Sequence, residues 1–242
     1  MPNFSEAGAV TGEVAFDSLG KAAHLDAAIL RGRSRSEFVY EALRTAIREG
    51  RFGRGERIRE EGIARSLGVS RTPVREALQR LQERGMLQMA PGRGLVTVEL
   101  SRQQTMELYA VRETLEGLAA RFAAQHAVEI EISLLHRLLD DFQAAGEDAE
   151  LLARINRQLH QAIYDAAHNR YLLQMLNELH EFLALLGGTT FVLDERRRQA
   201  NLEHRKLVAA IEARDPARAE EAAREHIRRA QQSRLEVAFG GR

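Results

Sequence analysis

The stretch Leu67-Gly68-Val69-Ser70-Arg71-Thr72-Pro73-Val74 constrains this chain more than any other part of it. An apolar helical pattern ends at Leu67, and Gly68 supplies the backbone freedom for a sharp corner. Just beyond it, Ser70, Thr72 and Pro73 are residue types that begin helices. Two helices joined by so short a turn predict a helix-turn-helix. The helix before the turn runs about 60–66, with Ile63 and Leu67 as its apolar points. The helix after it carries Val74, Ala77, Leu78 and Leu81 on one face and stops at Gly85.

The flanks extend the pattern. Upstream, Ser36 reads as the N-cap of a helix with Val39, Leu43, Ala46 and Ile47 on one side, broken by Gly50, Gly53 and Gly55. Downstream, Leu87–Ala90 and Leu95–Val98 flank the turn Pro91-Gly92-Arg93-Gly94, which predicts a β-hairpin. Three helices and then a hairpin is the order of a winged helix-turn-helix, placed at 36–100. Residues 1–35 are short of large apolar side chains and read as a flexible tail. The alternative there is that Arg31, Arg33 and Arg35 form a basic arm toward DNA.

From 101 to 242 the periodicity is helical throughout. Helices are expected at about 103–125, 129–144, 149–167, 170–186, 195–213 and 216–238, with breaks at Gly146, Asn169, Gly187-Gly188 and Asp215-Pro216. No internal repeat is visible, so this half is a bundle rather than a solenoid. The fold class is therefore mainly α: an N-terminal winged helix-turn-helix followed by an all-α bundle.

Composition sharpens the functional reading. The 35 basic and 35 acidic residues cancel, so net charge does not decide for or against nucleic acid. Distribution is more telling: residues 36–100 hold twelve arginines against nine acids and no lysine. Arginine is the side chain best suited to bidentate contacts with phosphate and guanine. The absence of cysteine excludes disulfides, thiolate metal sites and a cysteine nucleophile. No apolar run has transmembrane length, and the first residues lack the pattern of a secretory signal, so a cytoplasmic protein is expected.

In a helix-turn-helix the start of the second helix meets base edges in the major groove. Here that start offers Arg71 with the reach for guanine, and Ser70 and Thr72 as short donors, with Arg75 one turn on. Gly92 and Arg93 at the hairpin tip let the backbone and one guanidinium approach a groove. The competing reading, a merely solvated basic face, does not account for the order of elements around these residues.

Residues 38–98 closely resemble the DNA-binding domain of GntR-type bacterial repressors, and LGVSRTPVREAL (67–78) is the most specific part. The resemblance implies DNA contacts at Ser70, Arg71, Thr72, Arg75, Gly92 and Arg93. One departure is Glu61, which stands where some members place a DNA-contacting arginine. A carboxylate does not bind phosphate, although it can accept from cytosine N4. The helical half resembles the FCD ligand-binding domain of the FadR subgroup, through LYAVRETLEGLAARFAA (108–124), NRQLHQAIYDAAHNRYL (156–172) and EHRKLVAAIEARDPARAEEAAREHI (203–227).

Helical projection turns His204 toward Leu207, Val208 and Ile211, and His226 toward Ala219, Ala222, Ala223 and Ala230. It also places Asn156 and His160 at the edge of the Leu152/Ile155/Leu159/Ile163 stripe. Singly, each histidine reads as a hydrogen-bonded core residue; jointly they read as a metal site. The resemblance implies a divalent metal held by Asn156, His160, His204 and His226, with Asn156 in place of a common aspartate. Nitrogen and oxygen ligation favours Zn²⁺ or Ni²⁺ and also fits Mn²⁺ or Fe²⁺. Arg112 borders the Leu108/Val111/Leu115/Ala119 stripe. It reads either as an intrahelical partner of Glu116 or, as the resemblance implies, as the anchor of a small organic acid effector. His126, His136, His168 and His180 read as ordinary surface or capping residues.

Two other functions compete. A metal-dependent hydrolase would need a general base, but Glu203 adjoins His204 and so points about 100° away round the helix. It would also leave residues 38–98 unexplained, so no enzyme is expected. A purely architectural DNA-binding protein would need neither inward histidines nor Arg112. The expectation is a ligand-responsive repressor that binds double-stranded operator DNA. One winged helix has too small a footprint for high specificity, so it should act as a homodimer on a pseudo-palindrome.

Overall fold

The computed structural model describes residues 34–48 and 51–240. The expected tail and its three arginines fall outside these, apart from Ser34 and Arg35. The chain divides into two compact units. The first comprises the described residues up to Leu100 together with Glu181–Gly187, and the second comprises Ser101–His180 and the rest from Gly188. The short stretch Glu181–Gly187 is thus the part of 101–242 that does not belong to the helical unit.

In the first unit α1 (Arg35–Arg48), α2 (Glu60–Leu67) and α3 (Arg71–Glu83) precede strands β1 (Leu87–Ala90) and β2 (Gly94–Thr97). The cap of α1 corrects the sequence expectation. The Glu37 backbone N–H donates to Ser34 Oγ at 3.2 Å, so the N-cap is Ser34 and the helix starts before Ser36. Gly68 closes α2 in the left-handed region (φ 64°). Ser70 then enters α3 with extended backbone and makes no side-chain capping bond, which leaves its exposed hydroxyl out of the helix's own hydrogen bonding.

The strands pair antiparallel with Leu87 opposite Thr97 and Ala90 opposite Gly94. Ile58 N–H donates to Leu95 C=O and Thr97 N–H to Glu56 C=O, so the segment before α2 pins the hairpin to the helices. Val39, Leu43, Ile63, Val74, Leu78, Leu81 and Met86 form the core, and Leu185 joins it. Each helix contributes one apolar face, as its periodicity predicts.

The second unit is helical: α4 (Arg102–His126), α5 (Glu129–Ala144), α6 (Ala149–Ala166), α7 (Arg170–Ala184, its last turn in the first unit), a short 3-10 turn (Thr190–Val192), α8 (Asp194–Glu212) and α9 (Pro216–Phe239). Ser101 and Gln104 form a reciprocal capping box at the start of α4. Asp148 and Asp215 cap α6 and α9 through their carboxylates. Helices α4 and α9 pack along each other. Their approach is so close that a Cβ on Gly117 would lie 2.9 Å from Arg224 Cγ. No described helix is long and apolar enough to cross a membrane.

The burial of α4 differs from the expected stripe. Val111 is 51% exposed and Leu108 and Leu115 are half-buried, whereas Arg112 and Glu116 are 8% and 3% exposed. The polar pair, not the leucine stripe, faces the bundle interior. The inward face of α4 is otherwise built of Ala119, Ala120, Ala123 and Ala124, small residues that let neighbouring helices come near.

Candidate functional site

On the first unit, Ser70, Arg71, Thr72, Arg75, Gly92 and Arg93 are all exposed. The two glycines of the hairpin turn have positive φ, Gly92 at 71° and Gly94 at 77°, and this conformation bends the three-residue loop. Arg71 lines a cleft of about 280 Å³ with Arg57, Arg59, Glu60, Glu61, Gly94 and Leu95, between the helices and the hairpin.

Glutamates occupy the arginines here. Arg71 reaches Glu61 at 3.1 Å and Glu60 at 3.3 Å, and Arg75 reaches Glu60 at 3.1 Å. The hydrogen bond from Arg75, with the contacts of Arg71, outweighs the opposing burial and holds the Glu60 carboxyl below its ordinary range. Exposed pairs of this kind are worth about 0–1 kcal/mol, so a phosphate or guanine edge can displace them. Arg93 donates to the Gly55 carbonyl at 2.7 Å, which steadies the hairpin tip against the loop before α2.

In the helical unit, His160 from α6, His204 from α8 and His226 from α9 are buried, and one ligand nitrogen of each lies within 4.8 Å of the others. His160 Nε2 and both ring nitrogens of His204 are buried with no hydrogen-bond partner, and so is Asn156 Oδ1. Buried polar atoms ordinarily find partners. Partnerless buried atoms on α6 and α8, clustered with His226 of α9, therefore fit a cation.

The ring of Phe142 on α5 meets His204 edge-on at 4.9 Å and walls the cluster from beneath. Burial, with the neighbouring His226 and His160, lowers the His204 pKa well below its usual value. Burial, with His160 and Arg196, does the same for His226. Both rings are thus kept neutral, which is the form that coordinates metal.

Glu116 and Glu203, read from the sequence only against residues of their own helices, hold two of these rings. Arg112 Nε donates to Glu116 Oε1 at 2.5 Å, and His160 Nδ1 donates to the other oxygen of Glu116 at 2.5 Å. The Arg112–Glu116 pair is therefore real, but it is buried rather than on the surface. Burial opposes the charge on Glu116, yet Arg112 and His160 outweigh it and hold the carboxyl well below its normal range. Glu203 likewise accepts from Arg196 at 2.7 Å and from His226 Nδ1 at 2.8 Å. It does point away from His204, as expected, but toward His226 on the neighbouring helix.

Two further residues complete the interior. The Tyr164 hydroxyl is buried without a partner, and burial beside Glu116 raises its pKa. His180, expected to be a surface or capping residue, is half-buried. It lies 5.6 Å from the Tyr164 ring, donates to the Leu176 carbonyl at 2.9 Å, and burial near Arg112 lowers its pKa to about 4. His136 and His168 do sit at the surface, paired with Glu212 and Glu131, and His126 bonds the Ala167 carbonyl.

Together the two units define a class: a DNA-binding transcriptional regulator with a winged helix ahead of an all-helical domain that holds a buried histidine cluster. Residues 35–96 match the description "Bacterial regulatory proteins, gntR family", and residues 107–229 match the FCD domain. The chain belongs to the GntR family and carries its FCD domain, a domain that often binds metal.

It is 31% identical over 192 residues to the HTH-type transcriptional regulator YdhC of Bacillus subtilis (strain 168), covering 78% of this chain and 84% of that protein. It is 34% identical over 188 residues to a probable D-xylose utilization operon transcriptional repressor of Paenarthrobacter nicotinovorans, covering 75% and 80%. Among solved structures, E. coli McbR/YncC superposes with a TM-score of 0.69 at 26% identity, covering 86% of this chain and 98% of that one. These relatives are transcriptional regulators, not enzymes, and the hydrolase reading falls with them.

Proposed function

We propose that this regulator is a repressor whose operator affinity is set by a small carboxylate effector bound beside a divalent metal in the helical domain. The observation that carries this reading is the cluster of orphaned buried ligand atoms around His160, His204 and His226. Asn156 Oδ1, His160 Nε2, a nitrogen of His204 and a nitrogen of His226 would hold the ion. Zn²⁺ or Ni²⁺ suits this set first, and Mn²⁺ or Fe²⁺ also fits. When bound, the metal supplies a Lewis-acidic centre for an anionic group. Asn156 and three neutral histidines bring no negative charge to it, so an anionic effector is electrostatically favoured there. Arg112 would orient that effector through its terminal nitrogens, its Nε being committed to Glu116.

Operator recognition is assigned to Ser70, Arg71, Thr72 and Arg75 on α3, with Gly92 and Arg93 in the hairpin. A homodimer in the cytoplasm, where operator DNA lies, completes the reading. Leu108, Val111, Leu115, Leu118 and Phe122 support the homodimer: they recur along α4 at the three-four spacing of a helix–helix seam and are all partly exposed. Coupling of effector and operator binding is expected at about 1–3 kcal/mol.

Metal analysis of the purified wild type and of His204→Ala and His226→Ala, followed by thermal shift against small carboxylates with and without Zn²⁺, tests the proposal. Wild type should carry stoichiometric metal and the variants little. Carboxylates should raise the melting temperature only in the metal-loaded protein. Unchanged metal content in both variants sinks the metal site. A carboxylate response that ignores metal sinks the effector arrangement.

A further inference from the structure

Two of the three histidines share an arrangement that the third lacks. Glu116 bridges Arg112 and His160 Nδ1, and Glu203 bridges Arg196 and His226 Nδ1. All six residues are buried, none more than 8% exposed. The two bridges are built independently. Arg112 and Glu116 stand one turn apart on α4, whereas Arg196 and Glu203 stand two turns apart on α8. His204 has no carboxylate on either nitrogen.

Burying a carboxylate is costly unless a cation and hydrogen bonds compensate it, so such a bridge persists only where something pins it. The partners explain what each carboxylate does to its histidine. An ionised carboxylate can only accept, so the histidine nitrogen facing it carries the proton; at His226 the 2.8 Å contact with Glu203 prevails over the longer 3.3 Å approach of Arg196 to the same nitrogen. The lone pair then lies on the opposite nitrogen, Nε2. For His160 that is the buried nitrogen left without a partner.

We infer that Glu116 and Glu203 are positioning residues for the metal: each fixes the Nδ1–H tautomer of one histidine and aims its Nε2 at the ion. Arg112 and Arg196, paired with them at 2.5 and 2.7 Å, hold the two carboxylates in place. His204, held by ring packing against Phe142 and the other two histidines, is left free to ligate through either nitrogen. This gives Arg112 a task that does not depend on any effector. The inference rests on the metal reading above, and it assigns the supporting residues rather than the ligands.

The test is the Zn²⁺ affinity of the full chain, measured by competition with a chromophoric chelator, alongside the visible spectrum of the Co²⁺-substituted protein. Glu203→Ala and Glu116→Ala should each weaken Zn²⁺ binding by about 10–100-fold and shift the Co²⁺ bands. Glu203→Gln and Glu116→Gln, which keep a carbonyl to accept the Nδ1–H, should recover part of the loss. Removing Glu116 alone leaves Arg112 buried and unpaired. The neutral double variant Arg112→Met/Glu116→Gln therefore guards against a simple folding failure and should match Glu116→Gln in affinity.

A purely structural role would lower the melting temperature while leaving affinity and spectrum at wild-type values, and that result overturns the inference. Wild type that binds neither Zn²⁺ nor Co²⁺ overturns the metal reading itself. Wild-type binding with unaffected alanine variants overturns only this inference.

Discussion

In the first unit Arg71 and Arg75 stand in solvent on a helix whose other face is sealed by Val74, Ala77, Leu78 and Leu81, whereas in the helical unit Arg112 and Arg196 are buried against carboxylates. Both units pair arginine with glutamate, and the physical meaning of the pair is opposite. At the surface, water screens the contact with Glu60, the pair adds little to folding, and a DNA phosphate or base can replace it. In the interior no water can take over, and each guanidinium depends on its carboxylate. A reading surface needs exchangeable partners; a ligand pocket needs fixed ones.

The largest effect that would break this contrast is on stability. Arg196→Met leaves Glu203 buried with its main counter-charge gone, and should destabilise the helical unit by about 3–5 kcal/mol in urea unfolding followed by circular dichroism. A loss below about 1 kcal/mol would mean that the interior pair behaves like a surface one. Next, Arg71→Ala should cost about 1–3 kcal/mol in binding to a selected operator duplex while the melting temperature stays at the wild-type value. Comparable losses in both measurements would show that α3 is not the passive, exposed platform described here.

A third effect, read per pH unit, separates the units by pH. The pKa values of His204 and His226 in the fold lie below the unfolded value of about 6.5. Below that pH the unfolded chain binds more protons, so stability falls as pH falls. The slope approaches about 1.4 kcal/mol per pH unit for each histidine until its folded pKa is reached. The described part of the first unit contains no histidine. Mild acid should therefore unfold the metal-free helical unit before the winged helix, and simultaneous loss of both on a scan from pH 7 to 5 would refute the assignment.

The winged helix was legible because its signals are local. Gly68 at the corner, Ser70 and Pro73 at the start of α3, and Gly92 and Gly94 in the hairpin each dictate backbone within a few residues of themselves. Helix ends in the second unit were legible for the same reason, through Asp148, Asp215 and Ser101. The N-cap at Ser34 was missed because two serines close together offer the same chemistry, and only the backbone decides which oxygen meets Glu37 N–H. On α4 the apolar residues spread round the helix. Arg112 and Glu116 turn inward where Glu116 meets His160 on α6, a contact between residues 44 apart in the chain. Glu203 was weighed only against its own helix, where it does turn away from His204; its partner His226 lies 23 residues further on.

The sequence by itself determined the order of elements, the exposed placement of Ser70, Arg71, Thr72 and Arg75 at the start of α3, and the inward turn of His160, His204 and His226. Those follow from periodicity and turn chemistry, which act over a few residues. Only the tertiary structure decided that Arg112 is bound to Glu116 in the interior and that two histidines are held by carboxylates while the third is not. Such pairings join α4 to α6 and α8 to α9. Whether a charged side chain is exposed or buried is set by which helix lies over it, a contact between residues far apart in the chain.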